Sequence, residues 1–188
     1  MTGRLFVAVP LPPVVADALH AATAPLRAAA PSARWIEPEA LHCTVRYLGP
    51  TDASRVADVV AAMTATVASA RPLALEIRQF GAFPAWSRAR VVWIGLTPDP
   101  KFELLHHDLE TALMARGWEV EGRIFRPHIT LARVETPDVA APIRTAARGL
   151  RVRVPITVDH LALMQAGGES SGRRYAYVHS AHFGGVAA

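Results

Sequence analysis

The chain has 188 residues, enough for one compact domain or two small lobes sharing a cleft. Apolar residues make up 51% and charged residues 19%, which excludes a disordered chain and leaves enough apolar surface for a sizeable core. The net charge of +4 suits an anionic ligand but falls far short of the basic stripe of a duplex-DNA binder, and Lys101 is the only lysine, so the cation on offer is arginine, whose planar fork fits phosphate.

The N-terminal MTGRLFVAVPLPP lacks the length and cleavage pattern of a signal peptide; its residues 4–10 predict a strand ended by prolines. Residues 13–30 predict a helix with Pro13 in its first turn and a kink at Pro25. LHCTVRYL, 41–48, is β-branched and aromatic and stops at Gly49-Pro50; the next helix takes Thr51 or Asp52 as N-cap and runs to about residue 70. Strands follow at 73–80 and 90–96, with GAFPAWSR between them as a loop. A helix over 100–115 stops at Gly117; a strand at 128–134, a short helix near 138–147 and strands at 152–164 and 175–182 complete the order, with AGGESSGRR as a flexible loop. No run of about twenty residues is free of charge and proline, so no membrane span is expected and a soluble cytoplasmic protein is the default. The second half roughly repeats the first, each with a His-x-Thr strand, a helix and two strands. The expected fold is α+β, one domain over 1–188 made of two similar, interleaved lobes related by a pseudo-twofold.

Two tetrads carry the chemistry: His42-Cys43-Thr44-Val45 and His128-Ile129-Thr130-Leu131. On a strand, residues i and i+2 share a face, so each strand presents one imidazole and one hydroxyl to one side while its partners enter a core. One His-x-Thr is commonplace; two copies on matching strands are not. Two imidazoles titrating near neutrality can serve as acid and base in phosphodiester cleavage, and two hydroxyls can hydrogen-bond the non-bridging oxygens. No metal or other cofactor is required. Metal ligands would bring carboxylates or a third histidine, where these tetrads carry threonine, and the single cysteine, Cys43, excludes a cysteine-built zinc site and an internal disulfide. His106 and His107 are adjacent on a predicted helix and diverge by about 100°, which argues against chelation. His20, His160, His179 and His182 are read as structural or surface residues.

The stretches RLFVAVPLP, ARWIEPEALHCTVRYLGP, FGAFP, RVVWIGL and FRPHITLAR, spanning residue 4 to about 134, resemble the two-histidine phosphoesterase superfamily, and within it the RNA 2′,3′-cyclic phosphodiesterases formerly described as 2′-5′ RNA ligases. The resemblance implies a bilobal fold with two antiparallel sheets flanking a central cleft, helices outside, and hydrolysis of a 2′,3′-cyclic phosphate to a 2′-phosphate. By the family's pattern His42 gives a proton to the leaving 3′ oxygen, His128 activates water, and Thr44 and Thr130 hold the phosphate. It places an arginine at position 133 near the phosphate, although Arg133 has the wrong parity unless the strand bulges; Arg126 shares the face of His128 if the strand extends through Pro127, and Arg46, on the face of Thr44 by alternation, ranks below both. Trp86, in its loop, is the best placed side chain for stacking on a base, ahead of Phe83, Phe6, Pro10 and Leu11. RNA ends or cyclic nucleotides are the expected partners of a monomer, with no membrane and no DNA duplex. The alternatives are 2′-5′ ligation, another cyclic-nucleotide phosphodiesterase activity at the same site, or a non-catalytic module that binds RNA ends.

Overall fold

The computed structural model describes residues 2–167 and 175–185, so most of the expected flexible loop falls outside the described residues. The first strand, β1 (Thr2–Pro10), buries both its faces: Leu5, Val7 and Val9 enter the main core, while Phe6 and Ala8 form a second, smaller cluster with Ala162 and Met164. This explains its near-continuous apolar run, which is that of an interior strand. The expected helix over 13–30 is two helices, α1 (Pro13–Ala22) and α2 (Ala24–Ala29). They break at buried Thr23, whose hydroxyl donates to the Leu19 carbonyl at 2.8 Å, just before Pro25.

A two-residue strand, β2 (Arg34–Trp35), precedes β3 (His42–Asp52). β3 runs past Gly49-Pro50 because Gly49 adopts φ 75° and absorbs a bulge instead of ending the strand. Thr51 therefore still pairs with Gly3; Asp52 stands at the N-cap of a short 3-10 turn, Ala53–Arg55, without a side-chain cap bond, and α3 (Val56–Val67) begins after that turn. β4 (Leu73–Phe83) extends three residues into the expected loop, with Gln79 at φ 65° as an extra residue opposite β5 (Val91–Leu96). Asp99 caps α4 (Pro100–Met114) by accepting from the amides of Lys101 and Phe102. Then follow β6 (His128–Arg133) and α5 (Pro137–Gly149). The strand expected over 152–164 is two, β7 (Val154–Val158) and β8 (His160–Ala166), broken at Asp159, and β9 (Tyr175–His182) closes the order.

All strand pairs are antiparallel and belong to one curled sheet in the order β7-β4-β5-β6-β3-β1-β8-β9, with β2 on the end of β6. The expectation of two separate sheets is corrected by one registered pair at the centre, Cys43 with Ile129, which joins β3 to β6. These are the residues between histidine and threonine in the two tetrads; both are fully buried and hold the seam shut from the core side. Helix residues Leu19, Leu26, Met63, Leu109 and Ile143 belong to the same core cluster as Cys43, Ile129 and Ile94. Alternation then sends His42, Thr44, His128 and Thr130 to the opposite, open face. Among the described residues no helix is long and apolar enough to cross a membrane.

Candidate active site

Both imidazoles are held the same way. His42 Nδ1 lies 2.8 Å from the carbonyl of Ala40, and His128 Nδ1 lies 2.6 Å from the carbonyl of Arg126, each two residues upstream. A carbonyl only accepts, so both Nδ1 atoms carry hydrogen and the Nε2 atom of each ring is left free. Each ring is also wedged between aromatic side chains. His42 has Phe6 at 5.0 Å and Tyr175 at 4.9 Å between ring centroids; His128 has Phe83 at 4.9 Å and Trp93 at 5.8 Å. These apolar walls strip water from the rings and hold both pKa values below the ordinary histidine value, against the opposing pull of the backbone carbonyls. His42 is lowered further by the charge of His128 across the seam. Burial pushes the Cys43 thiol up to about 12, which leaves it protonated and inert at neutral pH.

Both strands then do the same thing after their tetrads. In β3 the pairing with β1 steps from Thr44 to Arg46, and in β6 the pairing with β5 steps from Thr130 to Ala132, so Val45 and Leu131 are extra residues in matching bulges. Parity flips beyond each bulge. Ala132 and Arg46 turn to the core, while the residues five places after each histidine, Tyr47 and Arg133, turn to the groove. This resolves the parity objection to Arg133 and removes Arg46 from phosphate binding. Arg46 is 7% exposed, ion-paired with Glu110, 3.6 Å from Glu121, and donates to the carbonyls of Tyr47 and Glu119. It fastens the segment that leads into β6.

The groove on the His42 side has a volume of about 370 Å³ and is lined by His42, Thr44 and Thr130 together with Arg4, Arg34 and Arg133. Tyr47 and Tyr175 also line it, and among the described residues no carboxylate does. Arg126 is exposed and contributes its carbonyl to His128; its side chain is outside this lining. Sequence reasoning missed Arg4, Arg34, Tyr47 and Tyr175. Arg34 pairs directly with Arg133 through β2, a contact between distant residues that no local spacing reports. Phe6 and Phe83 wall the two histidines, Leu11 is core, and Trp86 lines a separate cleft. His106 stacks on Phe125 at 4.1 Å and His160 on His182 at 5.0 Å, away from the groove. Among the described residues no cluster of three potential metal ligands occurs.

A family model described as the 2′-5′ RNA ligase superfamily matches residues 12–169. The chain belongs to that superfamily. The resemblance carried by the paired tetrads is thus met. Two relatives in the superfamily are RNA 2′,3′-cyclic phosphodiesterases: that of Geobacillus stearothermophilus is 29% identical over 131 residues, 70% of this chain and 42% of its own. That of Methanothermobacter thermautotrophicus is 29% identical over 137 residues, 73% of this chain and 74% of its own. This chain therefore spans less than half the length of the Geobacillus relative. Among solved structures, TT0787 of Thermus thermophilus aligns with a TM-score of 0.79 at 25% identity, covering 98% of this chain and 100% of that one. E. coli LigT complexed with 3′-AMP aligns with a TM-score of 0.71 at 22% identity over 97% of this chain and 99% of that one, a likeness of fold alone.

Proposed function

We propose that this chain hydrolyses RNA 2′,3′-cyclic phosphate ends to 2′-phosphates by two-histidine acid–base catalysis that needs no metal. The observation that supports the reading best is the pair of Nδ1–carbonyl bonds, which leave the Nε2 atom of each histidine free for proton transfer. Neutral His128 takes a proton from water through Nε2 as the water oxygen bonds to phosphorus. The bond from phosphorus to O3′ breaks, and protonated His42 gives its Nε2 proton to that oxygen, leaving a 2′-phosphate and a free 3′-hydroxyl. Thr44 and Thr130 donate to the non-bridging oxygens, and Arg133 balances their charge. Arg126 is the other candidate for that last role, from the His128 end. The groove lining of one imidazole, two hydroxyls and three arginines, with no carboxylate among the described lining residues, is a set suited to an anion rather than to a metal ion, and the second imidazole, His128, stands outside that lining.

In this reading the sheet is two interleaved lobes related by a pseudo-twofold along the seam. Counting outward gives β3-β1-β8-β9 on one side and β6-β5-β4-β7 on the other, with matching bulges after the tetrads. One chain supplies both histidines, so a monomer suffices. The names of the relatives accord with the substrate.

The experiment is incubation of the purified protein with an oligoribonucleotide ending in a 2′,3′-cyclic phosphate, with and without EDTA. A 2′-phosphate product at undiminished rate in EDTA is expected. Activity abolished by EDTA and restored by a divalent cation overturns the mechanism. Binding without turnover points to a binding module, and joining of added 5′-hydroxyl strands points to the reverse, ligating direction.

A further inference from the structure

Trp93 has two sides. One approaches His128; the other lines a second cleft of about 700 Å³ that the mechanism does not use. Five arginines line this cleft and, among the described residues, no acidic residue does. Arg144 and Arg148 are one turn apart on α5 and share a face; exposed Arg151 and Arg153 alternate with buried Val152 and Val154 where the chain enters β7. Arg78 comes from β4 beside the Gln79 bulge. The compensating charge near them is Glu76 at the rim, 4.0 Å from Arg78 and 3.7 Å from Arg153. Trp86 forms part of the wall, and the indole N–H of Trp93 and Nε of Arg78 are buried donors with no acceptor among the described residues. Each of the five guanidinium groups has the geometry to fork onto a phosphate. A basic groove interleaved with aromatic faces is what a single strand of nucleic acid requires: backbone phosphates on arginine, bases on indole.

We infer that this cleft seats the body of a single-stranded RNA whose reacting end lies beyond Trp93 between His42 and His128. The inference deepens the proposed function and rests on it for the identity of the reacting end. It makes the substrate an RNA strand several nucleotides long, with a mononucleoside cyclic phosphate filling only the catalytic groove.

The test compares the parent with an Arg148→Gln/Arg151→Gln double variant, both positions being exposed and outside the catalytic groove. On a 12-nucleotide RNA ending in a 2′,3′-cyclic phosphate, kcat/KM is expected to fall about tenfold or more. On a mononucleoside 2′,3′-cyclic phosphate it stays within about twofold. Fluorescence anisotropy with a 12-mer bearing a plain 3′-hydroxyl reads binding without catalysis; the slope of log affinity against log salt should become shallower by about 1.4, at about 0.7 per lost phosphate contact. Equal losses on both substrates, or an unchanged salt slope, overturn the assignment. So does a polyglutamate peptide that binds the parent more tightly than the RNA, which assigns the cleft to an acidic protein partner. If the parent turns over neither substrate, the catalytic reading fails on its own, and the anisotropy result still decides the cleft.

Discussion

His42 and His128 differ from ordinary surface histidines in two respects: each ring is anchored through Nδ1, and each is walled by aromatic groups. Replacing either by alanine removes a proton-transfer group and is expected to lower kcat by about 10²–10⁴-fold. Thr44→Ala or Thr130→Ala removes one hydrogen bond of several, and about tenfold is expected. Steady-state rates on the cyclic-phosphate oligonucleotide check both. The pH dependence of kcat/KM follows from the same surroundings. The rate rises as the base loses its proton and falls as the acid loses its own. Desolvation lowers both pKa values, so both limbs of the bell should lie below the ordinary histidine value of about 6.5. A profile centred near pH 8, or one flat from 5 to 9 with chemistry limiting, contradicts paired histidine catalysis at these rings.

The bulge is the element that decides which side chains reach the groove. Alternation alone predicted the faces of His42, Thr44, His128 and Thr130, because those four precede the extra residue in each strand. It failed for Arg46, which follows one, and the resemblance alone brought in Arg133. Parity counting is reliable only up to the first irregularity, and a bulge leaves no mark in residue types such as Val45 and Leu131. The break of the 152–164 segment at Asp159 was equally unreadable, since both parts are β-formers and only their partners, β4 and β1, lie in different halves of the sheet. Helices fared better: the Pro25 kink, the Gly117 stop and α5 are set by local backbone chemistry. Two substitutions test these elements. Arg46→Ala leaves buried Glu110 without its cation and is expected to cost about 3–5 kcal/mol in urea unfolding. Gly81→Ala places a methyl where Trp93 lies, since a Cβ there would fall 2.1 Å from an indole carbon. Overpacking should cost about 1–3 kcal/mol, and displacement of the indole should lower turnover through the ring of His128 that it supports.

At the scale of the molecule, the sheet has four strands of its main path on each side of one registered pair, with short β2 added beside β6, and both sides share a core. Each half brings its own histidine, threonine, aromatic walls and bulge, so the proposed acid and base come one from each half. The distance between the two imidazoles is therefore a property of the seam and not of either half. Cys43 sits on that seam, fully buried, with its thiol held to about 12. It is also the only cysteine in the chain. A thiol-specific alkylating reagent can reach it only when the core around β3 and β6 opens, so the labelling rate is a clock for opening of the structure at the join. The expected result is labelling much slower than that of a free thiol peptide, slowed further by a bound cyclic-phosphate analogue that ties the two histidines across the join. Rapid labelling in the native protein, indifferent to such a ligand, would mean that the halves come apart without regard to what lies between them.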